Sequence, residues 1–211
     1  MSKNGVTNIV VAGFPNHAGY PFHDLRLIVE VLSQVAADQG VACTSMALNA
    51  RDTFGVRPAS YHLRLGGKAR SPYIREGEGD VLIGLEAGTA ARCAAEVMGS
   101  HGTAIINTWQ YHPPFLVKYP AVEELLGLLK GLLERVIPVD LPKLVKEVEK
   151  ERQLAQGVME CLVLGVASGA KLLPFPLKNI ESALALLCGP EQRERMVAGF
   201  RLGARIASAQ P

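Results

Sequence analysis

Glycine, asparagine and histidine residues that could bind a ligand follow the first predicted strand of the chain. Residues 8–12 form a short apolar run, and Gly13-Phe14-Pro15-Asn16-His17-Ala18-Gly19 separates it from a helical pattern. In α/β folds this connection is where helix N–H groups bind phosphate. Pro15 and Ala18 stand where a dinucleotide signature needs its second and third glycines, so bound NAD is not expected. The loop glycines serve either the turn or a ligand.

Histidines and carboxylates near strand ends are the next candidates. His17 and His23 are six residues apart across a proline-containing loop, a spacing that defines no shared metal geometry, and Asp24 is more naturally a helix cap. No metal site is therefore predicted. His62 and Glu86 lie on or at the end of predicted strands, where α/β proteins place functional groups, and could meet in a cleft. Glu86 is equally well explained as a carboxylate stabilised by the dipole of the following helix.

The cysteine and serine patterns support no stand-alone nucleophile or cluster. Four cysteines, Cys43, Cys93, Cys161 and Cys188, are far apart and form no C-x-x-C pair, so neither zinc nor an iron–sulfur cluster is indicated. Reduced, mostly buried thiols are expected. The chain contains no G-x-S-x-G segment, so we assign no catalytic residue.

Composition indicates a folded globular protein. The chain has 211 residues, of which 48% are hydrophobic and 20% charged, with a formal net charge of +2. Basic residues are interleaved with acidic ones, which argues against nucleic-acid binding. No apolar run approaches the ~20 residues that span a bilayer, and the polar start does not resemble a signal peptide. We therefore expect a cytoplasmic protein without membrane contact.

The hydrophobic periodicity predicts the elements that would position these residues. A strand, a helix over residues 25–37 and a strand over 41–48 form a β-loop-α-β opening, which favours a parallel sheet. Gly66-Gly67 suggests a hairpin formed by residues 60–65 and the segment that follows, at a sheet edge. Further predicted elements are strands at 81–85, 105–106 and 136–139 and helices at 87–98, 122–134, 158–170, 178–187 and 191–207. The predicted fold is α/β, with a Rossmann-like doubly wound, mostly parallel sheet, a β-hairpin insertion and C-terminal helices.

Two segments of the second half have less regular patterns. Residues 109–119 are rich in proline and aromatic residues and predict an extended surface loop suited to docking. Residues 143–153 are strongly charged at helical spacing, which is typical of a solvated helix face.

Several blocks resemble the gamma-type domain of 2-oxoacid:acceptor oxidoreductases. They are the hairpin strand His62-Leu63-Arg64-Leu65-Gly66, the segment 71–86, Ile106-Asn107-Thr108, Val139-Asp140 and Leu173-Pro174-Phe175-Pro176-Leu177. The similarity is greatest to beta subunits of the indolepyruvate branch and covers nearly the whole chain. It implies a single domain over residues 1–211, with an α/β core at 1–140 and a helical part at 141–211 packed on it.

The resemblance implies a subunit that binds no cofactor alone. Thiamine diphosphate, Mg²⁺ and iron–sulfur clusters would belong to an alpha-type partner subunit, which passes electrons to ferredoxin during oxidative decarboxylation of an aryl pyruvate to an acyl-CoA. Contact of coenzyme A with this chain and formation of a dimer are left open. The residues expected near substrate or cofactor are Gly13, Phe14, Asn16, His17, Asn49, Arg57, His62, Glu86 and Asn107.

Two loops depart from the family pattern. Pro15, Asn16, His17 and Ala18 replace the usual G-G-Q-G, so the backbone cannot follow the same path. A second loop of the family usually reads Q-R-G-G-S. Residues 53–58 match it only loosely, through Gly55 and Arg57. These departures fit either an altered substrate or acceptor or an inactive paralogue. The alternatives outside this family are a stand-alone Rossmann-like protein that binds a small anion or nucleotide, and a purely self-associating structural chain.

Overall fold

The computed structural model describes residues 5–14, 24–48, 59–67, 71–110, 118–148 and 157–208. The strands are β1 (Thr7–Gly13), β2 (Cys43–Leu48), β3 (Ala59–Leu65), β4 (Gly79–Gly84), β5 (Met98–Asn107) and β6 (Arg135–Val139). The helices are α1 (Leu25–Asp38), α2 (Ala87–Val97), α3 (Val122–Leu132), α4 (Leu141–Val148), α5 (Val158–Gly169), α6 (Leu177–Leu187) and α7 (Pro190–Ser208).

The six strands found among these described residues form one sheet in the order β2-β3-β1-β4-β5-β6. Strands β1, β4, β5 and β6 pair in parallel, whereas β3 is antiparallel to both β1 and β2. Parallel neighbours require crossover connections, and helices such as α2 and α3 provide them. The predicted α/β fold with a mostly parallel sheet and C-terminal helices is confirmed.

The β-hairpin is present, but one of its strands was wrongly predicted. Its strands are β2 and β3, in a register that pairs Cys43 with Leu65 and Leu48 with Ser60. Residues 71–78, which follow Gly66-Gly67 after a short interval, are not a strand. They instead lie across β3, where the Ile74 N–H donates to His62 Nδ1 at 3.1 Å. The buried Ile74 side chain explains why this segment packs over the sheet instead of extending it.

Successive residues of the strands face two different apolar clusters. Ile9, Val11 and Ile83 face the cluster built with α1, α5, α6 and α7. Val10 and Leu82 face the cluster built with α2 and α3. Because both faces are covered, the strands read as continuous apolar runs without polar alternation.

The C-terminal helices α5 and α7 pack unusually closely through glycines. A Cβ added at Gly165 would overlap the carbonyl oxygen of Phe200, and one added at Gly203 would overlap that of Leu162. The two helix backbones are therefore in direct contact, and the Phe200 side chain is fully buried in the apolar cluster that also includes strand residues. Helix α5 lies against the sheet at β5, and α7 packs mainly against α5, with further contacts to α4 and α6.

Candidate functional site

The carboxyl ends of β1, β4 and β5 lie side by side and bring four of the candidate residues to one edge of the sheet. Gly13 and Phe14 follow β1, Glu86 follows β4, and Asn107 ends β5. Ligands of open parallel sheets bind at this edge. A Cβ on Gly13 would lie 3.1 Å from Leu85 Cβ, so this glycine permits close packing.

Glu86 is fully buried and caps helix α2. Its Oε1 accepts a hydrogen bond from the Gly88 N–H at 3.0 Å, and its Oε2 accepts one from the Thr89 N–H at 2.7 Å. Oε1 also accepts a hydrogen bond from the hydroxyl of Tyr119 at 3.0 Å. Both oxygens are engaged within the protein, which supports the helix-capping interpretation of this carboxylate.

Tyr119 is a site residue that sequence reasoning did not find. Burial and the neighbouring Glu86 carboxylate raise the pKa of its hydroxyl, so the group remains a hydrogen-bond donor at neutral pH. A Cβ on Gly88 would overlap this hydroxyl. The glycine after Ala87 was therefore a signal that another group approaches the start of the helix.

Asn107 joins three elements at the same edge. It is fully buried, and its Nδ2 donates to the Leu85 carbonyl at 3.0 Å. Its Oδ1 accepts hydrogen bonds from the N–H groups of Trp109 and Leu141, each at 3.3 Å. The amide thus fixes the ends of β4 and β5 against the start of α4, a positioning role that leaves neither end of the side chain unpaired.

Three helices that begin at this edge are capped by carboxylates. Asp24 Oδ1 accepts from the Arg26 N–H of α1 at 3.1 Å, and Asp140 Oδ1 accepts from the Lys143 N–H of α4 at 3.0 Å. Together with Glu86 on α2, they occupy N–H groups that a phosphate would use. A phosphate at any of these helix starts would also meet a negative side chain, so the described edge is poorly suited to anion binding.

Glu160 is a second residue that was missed. It is buried on α5, and its Oε1 accepts a hydrogen bond from the backbone N–H of Asp24 at 2.7 Å. This bond ties the start of α1 to α5. A single acid within the otherwise apolar segment 158–170 is the pattern that could have indicated it, because buried carboxylates require partners.

The structure does not bring His62 and Glu86 together. His62 on β3 pairs with Val10 on β1, and Val10 pairs with Leu82 on β4. His62 is therefore level with Leu82, which precedes Glu86 by four residues. At about 3.3 Å per residue this is about 13 Å along the strands. Burial lowers the pKa of His62, and its Nδ1 accepts the Ile74 N–H, which indicates a neutral side chain that holds residues 71–78.

The remaining candidates, Asn16, His17, Asn49 and Arg57, lie outside the described residues. The same holds for the central part of the proposed docking loop at 109–119. Their proximity to a ligand stays a prediction.

The segment 71–80 carried much of the family resemblance. It has a structural role at the amino ends of β1 and β4, away from the carboxyl ends that carry Glu86. Arg64 Nε donates to Asn8 Oδ1 at 2.9 Å, and Asn8 Nδ2 donates to the Glu78 carbonyl at 2.8 Å. The Asn8 N–H also donates to Asp80 Oδ2 at 2.8 Å. These bonds attach the segment to β1 and β3, at the end remote from Glu86.

The described residues offer no obvious metal or redox centre. No group of three or more histidine, cysteine or acidic residues among them could hold a metal ion. Burial raises the pKa of the Cys93, Cys161 and Cys188 thiols, which keeps them protonated and makes them poor cluster ligands. None of the described helices is both long and apolar enough to span a membrane.

The fold and this edge define a Rossmann-like α/β protein whose helix starts are closed by its own side chains. The family model for pyruvate ferredoxin/flavodoxin oxidoreductase matches residues 26–206, and the chain belongs to this family. A curated relative, indolepyruvate oxidoreductase subunit IorB of Archaeoglobus fulgidus, is 33% identical over 127 residues, covering 58% of this chain. The match spans 60% of that relative's length. The resemblance found in the sequence is thereby confirmed.

Three solved structures share the fold at low sequence identity. The pyruvate oxidoreductase subunit PORC of Thermotoga maritima has a TM-score of 0.59 and 15% identity, with coverage of 96% of this chain and 97% of that chain. The gamma subunit of a keto/oxoacid ferredoxin oxidoreductase of Geobacter sulfurreducens has a TM-score of 0.63 and 12% identity. The match covers 97% of this chain and 98% of that chain. The third structure is the 2-oxoglutarate:ferredoxin oxidoreductase of Magnetococcus marinus, solved with 2-oxoglutarate, coenzyme A and succinyl-CoA bound. Its TM-score is 0.65 at 15% identity, and the match covers 99% of this chain and 32% of that chain.

Proposed function

We propose that this chain is the gamma-type subunit of a thiamine-dependent 2-oxoacid:ferredoxin oxidoreductase that acts on indolepyruvate or a related aryl pyruvate. The observation that carries the proposal is the family match over residues 26–206. The aryl pyruvate assignment is supported by similarity to the indolepyruvate subunit of Archaeoglobus fulgidus. In this proposal residues 1–211 form one gamma-type domain, because one apolar cluster combines residues of the sheet, α1 and the C-terminal helices.

The cofactors are assigned to an alpha-type partner subunit. Thiamine diphosphate with Mg²⁺ would supply the carbanion chemistry of decarboxylation, and iron–sulfur clusters would carry electrons to ferredoxin. The four thiols of this chain do not fit a cluster, because the three that are buried have raised pKa values and no metal-binding group forms among the described residues. This chain would instead contribute a rigid wall beside the partner's active site.

The carboxyl edge of the sheet is the side of this chain that we assign to the active site. Glu86, Tyr119 and Asn107 hold the ends of β4 and β5 and the start of α4 in fixed positions. Fixed connections of this kind allow a subunit to orient a substrate held by its partner. The phosphates of coenzyme A are not expected at the starts of α1, α2 or α4, because carboxylates occupy them. The same observation argues against a stand-alone anion- or nucleotide-binding protein at these helix starts.

The proposal is tested by isolating the tagged full-length chain from its native cell. We expect a thiamine-binding partner in the purified complex, together with ferredoxin reduction that depends on coenzyme A and is faster with indolepyruvate than with pyruvate or 2-oxoglutarate. A partner without activity would indicate an inactive paralogue. Purification of the chain without a thiamine-binding partner would overturn the proposal, and preference for pyruvate would overturn its substrate.

A matched pair of variants tests the assignment of the site edge. In the active complex, Tyr119→Phe removes the hydroxyl that donates to Glu86, whereas Tyr61→Phe removes a hydroxyl beside α1 on the other face of the sheet. We expect the first change to alter kcat/KM for the 2-oxoacid and the second to leave it unchanged. Equal effects of the two changes would contradict the placement of the active site at the carboxyl edge.

A further inference from the structure

Strand β2 is an outer strand of the sheet, and no strand among the described residues pairs with its outer side. On its inner side the Gly66 N–H donates to the Ala42 carbonyl at 2.8 Å, and this opposed pair continues the β2–β3 register directly before Cys43. Residues of an antiparallel pair that bond to the neighbouring strand alternate with residues whose backbone groups face the other way. The N–H and C=O groups that point out of the sheet along β2 are therefore those of Cys43, Ser45 and Ala47.

The outer side of β2 carries none of the features that keep a strand from pairing. Its six residues, Cys43-Thr44-Ser45-Met46-Ala47-Leu48, include no charged residue, proline or glycine. Strand β6, at the other end of the sheet, carries an exposed Arg135 and an exposed Pro138, which has no N–H. Charges and prolines on outer strands prevent unwanted pairing, and a strand without them can accept another strand.

A groove lies beside β2 on the face of the sheet that α1 covers. Its volume is about 460 Å³, within the range of protein ligand pockets. Cys43 Sγ lies 3.5 Å from Ser33 Oγ, so this flank of α1 borders the strand. The residues that line the groove from the helices and from β2 and β3 include Val29, Ser33, Ala37, Ser45, Tyr61 and Leu187.

The groove favours a large apolar side chain over a charged one. Arg26 and Glu30 also line it, but they form an ion pair at 3.1 Å and add no net charge. Side chains alternate between the two faces of a strand, so a strand added along β2 directs every second side chain into this groove. A second copy of β2 paired by two-fold symmetry would supply only Cys43, Ser45 and Ala47 there, which are too small to fill it. The groove therefore favours a strand of a different chain.

We propose that β2 and the groove bind an extended segment of the alpha-type partner subunit, which joins the sheet as an additional strand. The inference rests on the proposed function, because that function supplies the partner. The segment exchanges backbone hydrogen bonds with Cys43, Ser45 and Ala47 and places a large apolar side chain opposite Ser45, in the groove. In strand addition of this kind, main-chain bonds give affinity and a side-chain pocket gives specificity. The contact uses none of the residues at the carboxyl edge, so docking can be tested without altering that site.

The first test compares amide hydrogen exchange of β2 in the isolated full-length chain and in the native complex. We expect the N–H groups of Cys43, Ser45 and Ala47 to exchange rapidly in the isolated chain, because β3 does not bond to them, and about tenfold or more slowly in the complex. Rapid exchange in both samples would overturn the docking proposal while the complex, and with it the proposed function, stands. Slow exchange already in the isolated chain would overturn it too, because the edge would then be occupied within the chain. Isolation without a thiamine-binding partner would overturn both proposals.

Two pairs of variants test the backbone bonds and the groove separately. Ser45→Pro removes an outward N–H, at a position where outer strands tolerate proline, and Ser45→Ala, which keeps the N–H, is its control. Ala37→Trp fills the groove from an exposed position on α1, and Ala95→Trp places the same side chain at an exposed position on α2, on the other face of the sheet. We expect Ser45→Pro and Ala37→Trp to lower the copurified thiamine-binding subunit by about tenfold, and the controls to leave it unchanged.

The outcomes of these variants separate the occupants of the edge. Thermal unfolding checks that each variant folds, and if Ser45→Pro does not, Ala37→Trp and its control decide. Unchanged capture by Ala37→Trp, or an equal loss in Ala95→Trp, would overturn the proposal. Sedimentation velocity of the isolated chain tests the remaining occupant, since a dimer that Ser45→Pro dissociates would assign the edge to a second copy and overturn the partner assignment.

Discussion

Replacing Gly165 with alanine should force α5 and α7 apart. The new Cβ would overlap the carbonyl oxygen of Phe200 and lie 2.9 Å from its carbonyl carbon and 3.0 Å from the Ala204 nitrogen. All three are backbone atoms, so no side-chain rotation relieves the overlap. Overpacking of a core costs about 1–3 kcal/mol, against a gain of about 1 kcal/mol in helix propensity. Because the obstacle is backbone, we expect a net loss of about 2 kcal/mol in the free energy of unfolding.

Gly199→Ala on α7 provides the matched control. Its new Cβ would lie 3.1 Å from Val158 Cγ1 and 3.3 Å from the Val158 carbonyl oxygen, so a small shift accommodates it. Its free energy of unfolding should change by less than about 0.5 kcal/mol. Urea unfolding of both variants measures the difference, and Gly165→Ala should also lower Tm by about 4–8 °C. The reasoning is refuted if Gly165→Ala is as stable as the unsubstituted chain, or if Gly199→Ala is the more damaging change.

Three further predictions concern the carboxyl edge and β3. Glu86→Ala should lower the free energy of unfolding by about 1–3 kcal/mol in thermal denaturation, since it removes the α2 cap and the carboxylate that accepts from the Tyr119 hydroxyl; unchanged stability would contradict the capping role. Burial lowers the pKa of His62 below its ordinary 6.5, so the unfolded chain binds the proton more tightly and stability falls as pH drops below that value. The slope of this loss, at most about 1.4 kcal/mol per pH unit, should be absent in His62→Gln when urea midpoints are compared between about pH 7.5 and 5. Inorganic phosphate should give no saturable rise in Tm, and such a rise would contradict the closure of the helix starts by carboxylates.

The sheet and its helices were largely predictable because their signals are local. Apolar runs such as 81–85 and helical periodicity such as 25–37 depend on neighbouring residues alone, and β4 and α1 follow them closely. The predicted second strand of the hairpin was wrong because a Gly-Gly pair indicates only a turn and not whether a strand follows it. The turn itself is present, since Gly66 and Gly67 have φ of 86° and 60°. Pairing of β3 with β1 is a long-range contact that no local pattern specifies.

The candidate site was predicted only where position along a strand was sufficient. Glu86 and Asn107 were identified as residues at strand ends, and both lie at the expected edge. Tyr119 and Glu160 were missed because their roles depend on Glu86 and Asp24, which are 33 and 136 residues away. Such partners are set by tertiary structure, which a single sequence does not encode in its spacing.

The glycine-packed pair of α5 and α7 has a consequence for biosynthesis. The six strands of the described residues are complete once residue 139 has been made, but α5 and the helices that pack on it span 158–208. A ribosome delivers the chain from its N-terminus at about 5–20 residues per second, so for several seconds Ile105 on β5 lacks the cover of α5, whereas β1 and β3 can already pack against α1. The nascent protein therefore presents a wide apolar surface late in synthesis, when a chaperone that binds such surfaces has the greatest effect on its yield.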